Sequence, residues 1–233
     1  MTGWSGDLAD WWIGETATDP VYRTQVQPLA LALLDPRPEE RYLDLGCGAG
    51  PLLRELRAAG AMAIGVDASV DLARRAADHS PTVVGLLPEL SFIRDRSVDG
   101  VAIVLVLEHI EDAGGVLAEA HRVTRPGGTL ALVVNHPLLT APGSGPFLDP
   151  DDGEVLWRWG SYLSGTHSDE PAGDDSVRFH HRTLSELLST AASAGWALQR
   201  MTEMGYDPHG ADPLFAVQSE VPRLLGVRWV RPA

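Results

Sequence analysis

An apolar stretch that contains a carboxylate and runs directly into a glycine-rich turn is the feature that most constrains the fold of this chain. Residues 41–50 read Arg-Tyr-Leu-Asp-Leu-Gly-Cys-Gly-Ala-Gly, and Pro51 then opens a helical pattern. Glycines in such a turn let the backbone bend sharply and let a ligand approach the main chain closely. The helix that follows presents free N–H groups to the same place. The stretch therefore predicts a buried strand, a ligand-binding turn and a helix.

Short apolar runs alternate with helical patterns over the first part of the chain, and this alternation predicts the fold class. The runs predicted as strands are Tyr42–Leu45, Ala63–Val66, Thr82–Leu86, Val101–Leu105 and Leu130–Val134. Buried runs of this kind, each followed by a helix, indicate a parallel sheet covered on both faces. Two later segments, Trp196–Met201 and Leu224–Val230, are expected to add an antiparallel pair at one edge. The predicted fold is α/β, with a doubly wound, mostly parallel sheet.

The chain of 233 residues is expected to form a single domain, 1–233, that carries two additional segments. Residues 1–38 are interpreted as an N-terminal helical cap, since apolar residues recur there at helical spacing. This cap includes Trp4, Trp11 and Trp12. Residues 138–178 are rich in Pro, Gly, Asp and Ser, and connections this long are usually functional or disordered. We interpret them as a lid-like insertion.

Charge and composition argue against several classes of function. The chain has 18 Lys and Arg residues against 32 Asp and Glu residues, a net charge of −14, so nucleic acid is not an expected partner. No apolar run approaches the roughly 18 residues needed to cross a bilayer, so no membrane partner is expected. The single cysteine, Cys47, excludes an internal disulfide framework and favours a cytoplasmic protein.

The spacing of the glycines distinguishes between two kinds of nucleotide cofactor. A nicotinamide-dinucleotide fingerprint needs Gly-x-Gly-x-x-Gly, but Pro51 and Leu53 stand where the third glycine would fall. The pattern Asp-x-Gly-x-Gly-x-Gly over residues 44–50 instead resembles motif I of the class I S-adenosylmethionine-dependent methyltransferases. Asp67, which closes the next apolar run, is placed to accept hydrogen bonds from both hydroxyls of a ribose.

Three further segments resemble the same family, in the same order. Residues 97–109 resemble its fourth strand and the helix entry after it, and residues 123–130 contain the Arg-Pro-Gly-Gly turn before the fifth strand. Residues 180–196 contain the His-Arg-x-Leu-Ser and Ala-Gly-aromatic pattern of many small-molecule members. One glycine motif alone is a weak signal, whereas the ordered set is specific. The chain thus resembles the small-molecule methyltransferases of type 11, and the resemblance implies their Rossmann-like fold.

The resemblance implies S-adenosylmethionine as the cofactor, with S-adenosylhomocysteine as its product. Motif I would cradle the methionine part, Asp67 would hold the ribose, and segments after the second and third strands would flank the adenine. The end of the fourth strand would face the sulfonium. The cofactor-binding residues implied in this way are Asp44, Gly46, Gly48, Gly50, Asp67, Ala68, Leu86, Leu87, Val104 and Leu105.

The chain departs from the family pattern at two positions. Family members commonly place an Asp near the end of the third strand, where this chain has Leu86 or Leu87, so adenine recognition is expected to depend on backbone groups and apolar packing. Ubiquinone-type members carry Glu-x-x-Glu-His, which can bind a metal, but Leu105 occupies the first of these positions. No metal is therefore expected.

Methyl transfer from a sulfonium is an in-line displacement that depends mainly on positioning. We expect transfer to O, N or C of a small organic acceptor, and a phenol or ammonium acceptor must also lose a proton. His136, directly after the fifth strand, and His181, in the family-like segment, are the candidate catalytic bases, and the alternative for each is a structural histidine. Two other functions remain open. One is a non-catalytic relative that binds S-adenosylmethionine, and the other is an NAD(P)-dependent oxidoreductase.

Overall fold

The computed structural model describes residues 6–18, 20–205 and 220–233, and a seven-stranded sheet lies at its centre. The strands are β1 (Arg41–Leu45), β2 (Met62–Asp67), β3 (Thr82–Val84), β4 (Val98–Val104), β5 (Thr124–Asn135), β6 (Gly145–Leu148), β7 (Val155–Arg158), β8 (His167–Ala172), β9 (Asp175–His180), β10 (Ala197–Met204) and β11 (Leu224–Val230). The order in the main sheet is β10-β11-β5-β4-β1-β2-β3. The remaining strands form two hairpins, β6–β7 and β8–β9.

Strands β1 to β5 run parallel, and β11 and β10 add an antiparallel pair beside β5. This arrangement confirms the predicted fold class and edge pair. The predicted third run was too long, because β3 ends at Val84. Trp196 precedes β10 instead of belonging to it, and its buried indole N–H donates to the carbonyl of Leu117 over 2.9 Å.

Helices cover both faces of the main sheet. They are α1 (Asp7–Thr18), a π-helical turn (Tyr22–Val26), α2 (Gln27–Leu34), α3 (Pro51–Ala58), α4 (Val70–Ala76), a 3₁₀ turn (Leu107–His109), α5 (Ala113–Val123), α6 (Pro137–Thr140) and α7 (Leu184–Ser193). Side chains of α2 and α3 pack in one buried cluster, and those of α5 and α7 pack in another. The parallel strands are therefore buried on both sides, which explains why their sequences are apolar runs and do not alternate.

Local sequence patterns account for individual helices. Leu52, Leu53 and Leu56 form the buried stripe of α3. The predicted capping box of α7 is present: the Thr183 hydroxyl accepts from the Glu186 N–H, and the Glu186 carboxylate accepts from the Thr183 N–H over 2.9 Å. These two reciprocal bonds satisfy N–H groups at the helix start that otherwise lack a partner.

The segment interpreted as a lid-like insertion, 138–178, contains most of α6 and both hairpins, and the second hairpin continues to residue 180. Leu8 of α1 packs in a small buried cluster with Ala172 of β8 and Val177 of β9. Of the segment interpreted as an N-terminal cap, residues 1–5 (with Trp4) and 19 lie outside the described residues. None of the described helices is long and apolar enough to cross a membrane.

Candidate functional site

A cavity of about 400 Å³ opens where β1, β2 and β4 end, and we call it the first cavity. Ligands of open α/β folds bind at this carboxyl edge, where strands diverge to opposite sides. The cavity brings together most of the cofactor-binding residues predicted from the sequence. Those that line it are Gly46, Gly48, Asp67, Ala68, Leu86, Leu87, Val104 and Leu105.

The glycines of the turn serve two different purposes. Gly46, Gly48 and Gly50 all have φ between 54° and 83°, a left-handed conformation that favours glycine. A Cβ on Gly50 would lie only 2.9 Å from the Cα of Ala76, so this glycine lets α3 approach α4, and it does not line the cavity. A Cβ on Gly48 would lie 3.7 Å from Nε1 of Trp12, on the cavity wall. A side chain at position 48 would therefore begin to fill the space between this turn and Trp12.

The carboxylate of Asp67 hydrogen bonds to the backbone of this turn and to that of the residues after β2. Its Oδ2 accepts from the Gly48 N–H and its Oδ1 from the Ser69 N–H, both over 2.8 Å. Burial raises the pKa of Asp67, although these N–H groups act in the opposite direction. A carboxylate offers about four lone-pair sites, so each oxygen can still accept one further hydrogen bond. Two neighbouring ribose hydroxyls fit this capacity.

Asp44 lies behind the turn and not on the cavity wall. It is 2% exposed, and burial, together with the charge of Asp67, raises its pKa to about 7. Burial and the charge of Asp44 also raise the pKa of Tyr22, which does line the first cavity. Burial likewise raises the pKa of the Cys47 thiol, so this cysteine is a neutral packing group.

A second cavity of about 380 Å³ adjoins the first. Its walls come from α1, the end of β5, α6 and the β8–β9 hairpin. The residues that line both cavities are Trp12, Leu105, His109 and Val177. Leu105 has φ of 54°, which is unusual for a side chain of this size, and its N–H donates to Val133 over 2.8 Å. Strained residues of this kind concentrate at functional sites.

The loop after β4 is fixed from both sides. Glu108 is buried, and its Oε1 accepts from Nδ2 of Asn135, at the end of β5, over 3.0 Å. The His109 ring hydrogen bonds through Nδ1 to the Arg178 carbonyl over 3.2 Å and meets the Phe179 ring edge-on at 4.6 Å. The helical pattern around His109 predicts a structural or solvated histidine, whereas the structure places this residue on the walls of both cavities.

His136 lines neither cavity. Its Nδ1 accepts from the Leu138 N–H at the start of α6, and its Nε2 donates to Glu203 of β10 over 2.9 Å. Burial lowers the pKa of His136, and the hydrogen bond to Glu203 opposes that effect. Both ring nitrogens are thus occupied in joining elements, and the geometry does not favour this histidine as the catalytic base.

His181 is also buried and lines neither cavity, but it is linked to the second one. Its Nε2 lies 2.8 Å from the Tyr162 carbonyl, which can only accept, so Nε2 carries the proton. Its Nδ1 then accepts from the Thr140 hydroxyl over 3.1 Å, and Thr140 lines the second cavity. No sequence signal pointed to Thr140, because the contact joins residues 41 positions apart.

Among the residues described, no group of three or more His, Cys, Asp or Glu side chains is arranged to hold a metal ion.

Comparison with known proteins identifies the family. A methyltransferase domain model matches residues 43–132. A ubiquinone biosynthesis O-methyltransferase of Methylococcus capsulatus is 31% identical over 175 residues, 72% of this chain and 68% of that protein. A second of that name, from Hahella chejuensis, is 34% identical over 135 residues, 53% of this chain and 56% of that protein.

A solved structure agrees with these sequence comparisons. The S-adenosylmethionine-dependent methyltransferase from Mesorhizobium loti superposes with a TM-score of 0.76 at 26% identity, over 88% of this chain and 96% of that one. The chain matches only part of each of the first curated relatives, between 37% and 56% of the length of the relative. The sheet order, the glycine turn and these matches agree, and the chain belongs to the class I S-adenosylmethionine-dependent methyltransferases.

Proposed function

We propose that this protein transfers the methyl group of S-adenosylmethionine to O, N or C of a small organic acceptor. The observation that carries the proposal is the meeting of two cavities at Leu105 and His109, one of them walled by motif I. One cavity suits the methyl donor and the other suits the acceptor. When bound, the donor supplies an activated methyl group on a sulfonium, which is a good leaving group.

The residues of the first cavity fit the donor. The turn around Gly48 leaves room against the main chain, and Asp67 has free lone pairs for the ribose hydroxyls. Leu86 and Leu87 would flank the adenine, and Val104 and Leu105 would face the sulfonium. Asp44 and Gly50 would act from behind the turn, by supporting its shape.

The main contribution of the protein is to align the two reactants and to exclude water. The side chains of Trp12, Leu105 and Val177 make the junction of the two cavities largely apolar. Fixing two reactants in a reactive alignment lowers a barrier by roughly 7–11 kcal/mol. Such positioning supports catalysis without any bond between the protein and the methyl group.

A proton can leave the acceptor through Thr140. Its hydroxyl lines the second cavity and donates to Nδ1 of His181, while the Tyr162 carbonyl holds the other ring nitrogen protonated. Thr140 can thus accept the acceptor's proton as it passes its own to His181. We propose His181 as the base, acting through Thr140. His136 is proposed only as a structural residue.

The size of the second cavity supports a small acceptor and not a macromolecule. The net charge of −14 supports the same choice, since it disfavours nucleic acid. The names of the two quinone-pathway relatives are consistent with a phenolic or related ring compound as the acceptor. The single, buried and free cysteine supports action in the cytoplasm.

Calorimetry provides the first test. S-adenosylhomocysteine should bind and NADH should not. Asp67→Asn should weaken S-adenosylhomocysteine at least about tenfold, because hydrogen bonds to a charged group contribute roughly 1.5–3 kcal/mol. Asp78→Asn, at an exposed turn, is the matched control and should bind normally. Preferential binding of NADH would instead support the oxidoreductase alternative.

A second experiment tests catalysis itself. The protein is incubated with methyl-labelled S-adenosylmethionine and a library of small phenols and amines, and labelled products are identified. Label should appear on at least one acceptor and should be absent with Asp67→Asn at a donor concentration that saturates only the wild type. Donor binding without any labelled product would support the alternative of a non-catalytic relative.

A further inference from the structure

We propose that the second cavity selects an aromatic acceptor that carries a cationic amino group, with Glu170 as the partner of that group. This inference rests on the proposed methyl transfer and adds the chemical class of the acceptor. It depends on which face of the β8–β9 hairpin each side chain occupies, on the partners of its charged groups, and on the aromatic rings opposite.

The hairpin places one carboxylate on its cavity-facing side. Directly opposed residues of an antiparallel pair share a face, and Glu170 opposes Val177. Ser168 and Phe179 form the next opposed pair on the same face, and all four residues line the second cavity. Glu170 is exposed, so its carboxylate lies towards the opening and not deep in the cavity.

The other face of the hairpin carries a compensated pair of charges. Asp169 opposes Arg178, and their side chains form a salt bridge of 2.9 Å. The carboxylate of Glu170 has no hydrogen bond or ion pair with any residue that the structure describes, whereas its main chain belongs to the ladder opposite Val177. The hairpin therefore neutralises Asp169 with Arg178, a residue that also lines the first cavity, and leaves the Glu170 carboxylate available to a ligand in the second cavity.

Among the described residues that line the second cavity, the charged side chains are acidic only. Glu170 is the only carboxylate among the described residues of the second cavity, and neither Lys nor Arg lines it. An anionic acceptor would face this negative group without a compensating cation among the described residues of the second cavity, in a chain with net charge −14. A cationic group, by contrast, would form a charge-assisted hydrogen bond with the carboxylate.

The remaining walls favour a flat, positively charged molecule. The rings of Trp11, Trp12, His109 and Phe179 line the cavity, and the centroids of the two tryptophan rings lie 6.4 Å apart. Aromatic faces stack on other rings and also attract cations. A cavity of about 380 Å³ accommodates a compound of one or two rings.

Three probes with a common phenol ring test the inference. They are tyramine, which is cationic, 4-ethylphenol, which is neutral, and 3-(4-hydroxyphenyl)propionate, which is anionic. Their dissociation constants are measured by calorimetry on the full chain saturated with S-adenosylhomocysteine. Tyramine should bind at least about fivefold more tightly than 4-ethylphenol, and the propionate should bind most weakly.

Two variants identify the source of this preference. Glu170→Gln removes the charge but keeps the shape, and it should bring tyramine and 4-ethylphenol to within about twofold of each other. Glu154→Gln removes an exposed acid near β7, away from both cavities, and should keep the wild-type preference. Equal or tighter binding of the propionate, a preference that survives Glu170→Gln, or binding of none of the probes would each overturn the inference. A chain that fails to bind S-adenosylhomocysteine would instead contradict the proposed function.

Discussion

Two buried histidines, His136 and His181, differ in whether one of their hydrogen-bond partners lines a cavity. The two partners of His136 are a backbone N–H and Glu203, neither of which lines a cavity. One of the two partners of His181 is Thr140, a cavity hydroxyl. A base must be within reach of the proton it removes, directly or through one intermediate group. Only His181 meets this condition.

Replacing Thr140 tests the proton path. Thr140→Val removes the hydroxyl at nearly constant volume, so kcat with an acceptor found in the labelling screen should fall about 100-fold with little change in KM. Thr140→Ser, which restores the hydroxyl, should recover most of the rate. If Thr140 had only a structural role, folding stability would fall together with the rate, and the losses would be similar in Thr140→Val and Thr140→Ser. Equal activity of Thr140→Val and the wild type would contradict the proposed path.

Asp44 makes the stability of the protein depend on pH in a definite direction. Burial and Asp67 raise the pKa of Asp44 from 3.8 to about 7 in the folded protein. Between these values the folded state holds a proton that the unfolded state has released, so stability falls as pH rises. Above about pH 7 the full penalty is present, and below about pH 4 it disappears.

Asp44→Asn should remove this dependence. From pH 5 to pH 7, the free energy of unfolding of the wild type should fall relative to the variant by roughly 2–3 kcal/mol, since one pKa unit corresponds to about 1.4 kcal/mol. Urea denaturation at the two pH values measures the difference. Parallel profiles for the two proteins would mean that Asp44 is ionised throughout.

Among the elements, α7 has the most complete local specification. Thr183 and Glu186 form the capping box at its start, and Gly195, with φ of 94°, follows its end. Its side chains Leu187 and Ala191 belong to the same buried cluster as α5. Local capping and tertiary packing therefore favour the same helix.

Thr183→Ala should destabilise the protein by about 1 kcal/mol, because it leaves N–H groups at the start of α7 without a partner. Chemical denaturation should show a lower midpoint with an unchanged slope. Ser189→Ala, on the exposed side of α7, is the control and should change stability by less than about 0.5 kcal/mol. Equal losses in the two variants would show that the capping box contributes little.

At the scale of the whole molecule, the first cavity joins parts of the chain that are distant in sequence. Trp12 of α1, Asp67 of β2 and Val177 of β9 line the same cavity. A ligand there should stabilise the entire fold, since it binds the folded state alone.

S-adenosylhomocysteine at 100 times its dissociation constant should stabilise the fold by about 2.7 kcal/mol. For a chain of this size the melting temperature should then rise by roughly 5–10 °C. Thermal denaturation with and without the ligand measures the shift, and NADH at the same concentration should produce none. A shift confined to NADH would contradict the assignment of the first cavity.

Patterns within short stretches of the chain were sufficient to predict the fold, and eight of the ten cofactor-binding residues that they indicated line the first cavity. Buried parallel strands need continuous apolar runs, and a tight turn beneath a ligand needs glycine, so residues 41–50 carry both signals locally. Gly50 and Asp44 were named for the cofactor but lie off the cavity wall, since nothing local separates a packing glycine from a lining one.

The second cavity could not be predicted in this way. It exists because the β8–β9 hairpin packs on α1 and because α6 brings Thr140 within 3.1 Å of His181. Contacts across long loops leave no periodic trace in the sequence, and the partners of a buried polar group depend on which elements meet. Tertiary packing alone therefore decided which histidine is linked to a cavity and which acid of the hairpin is paired with Arg178.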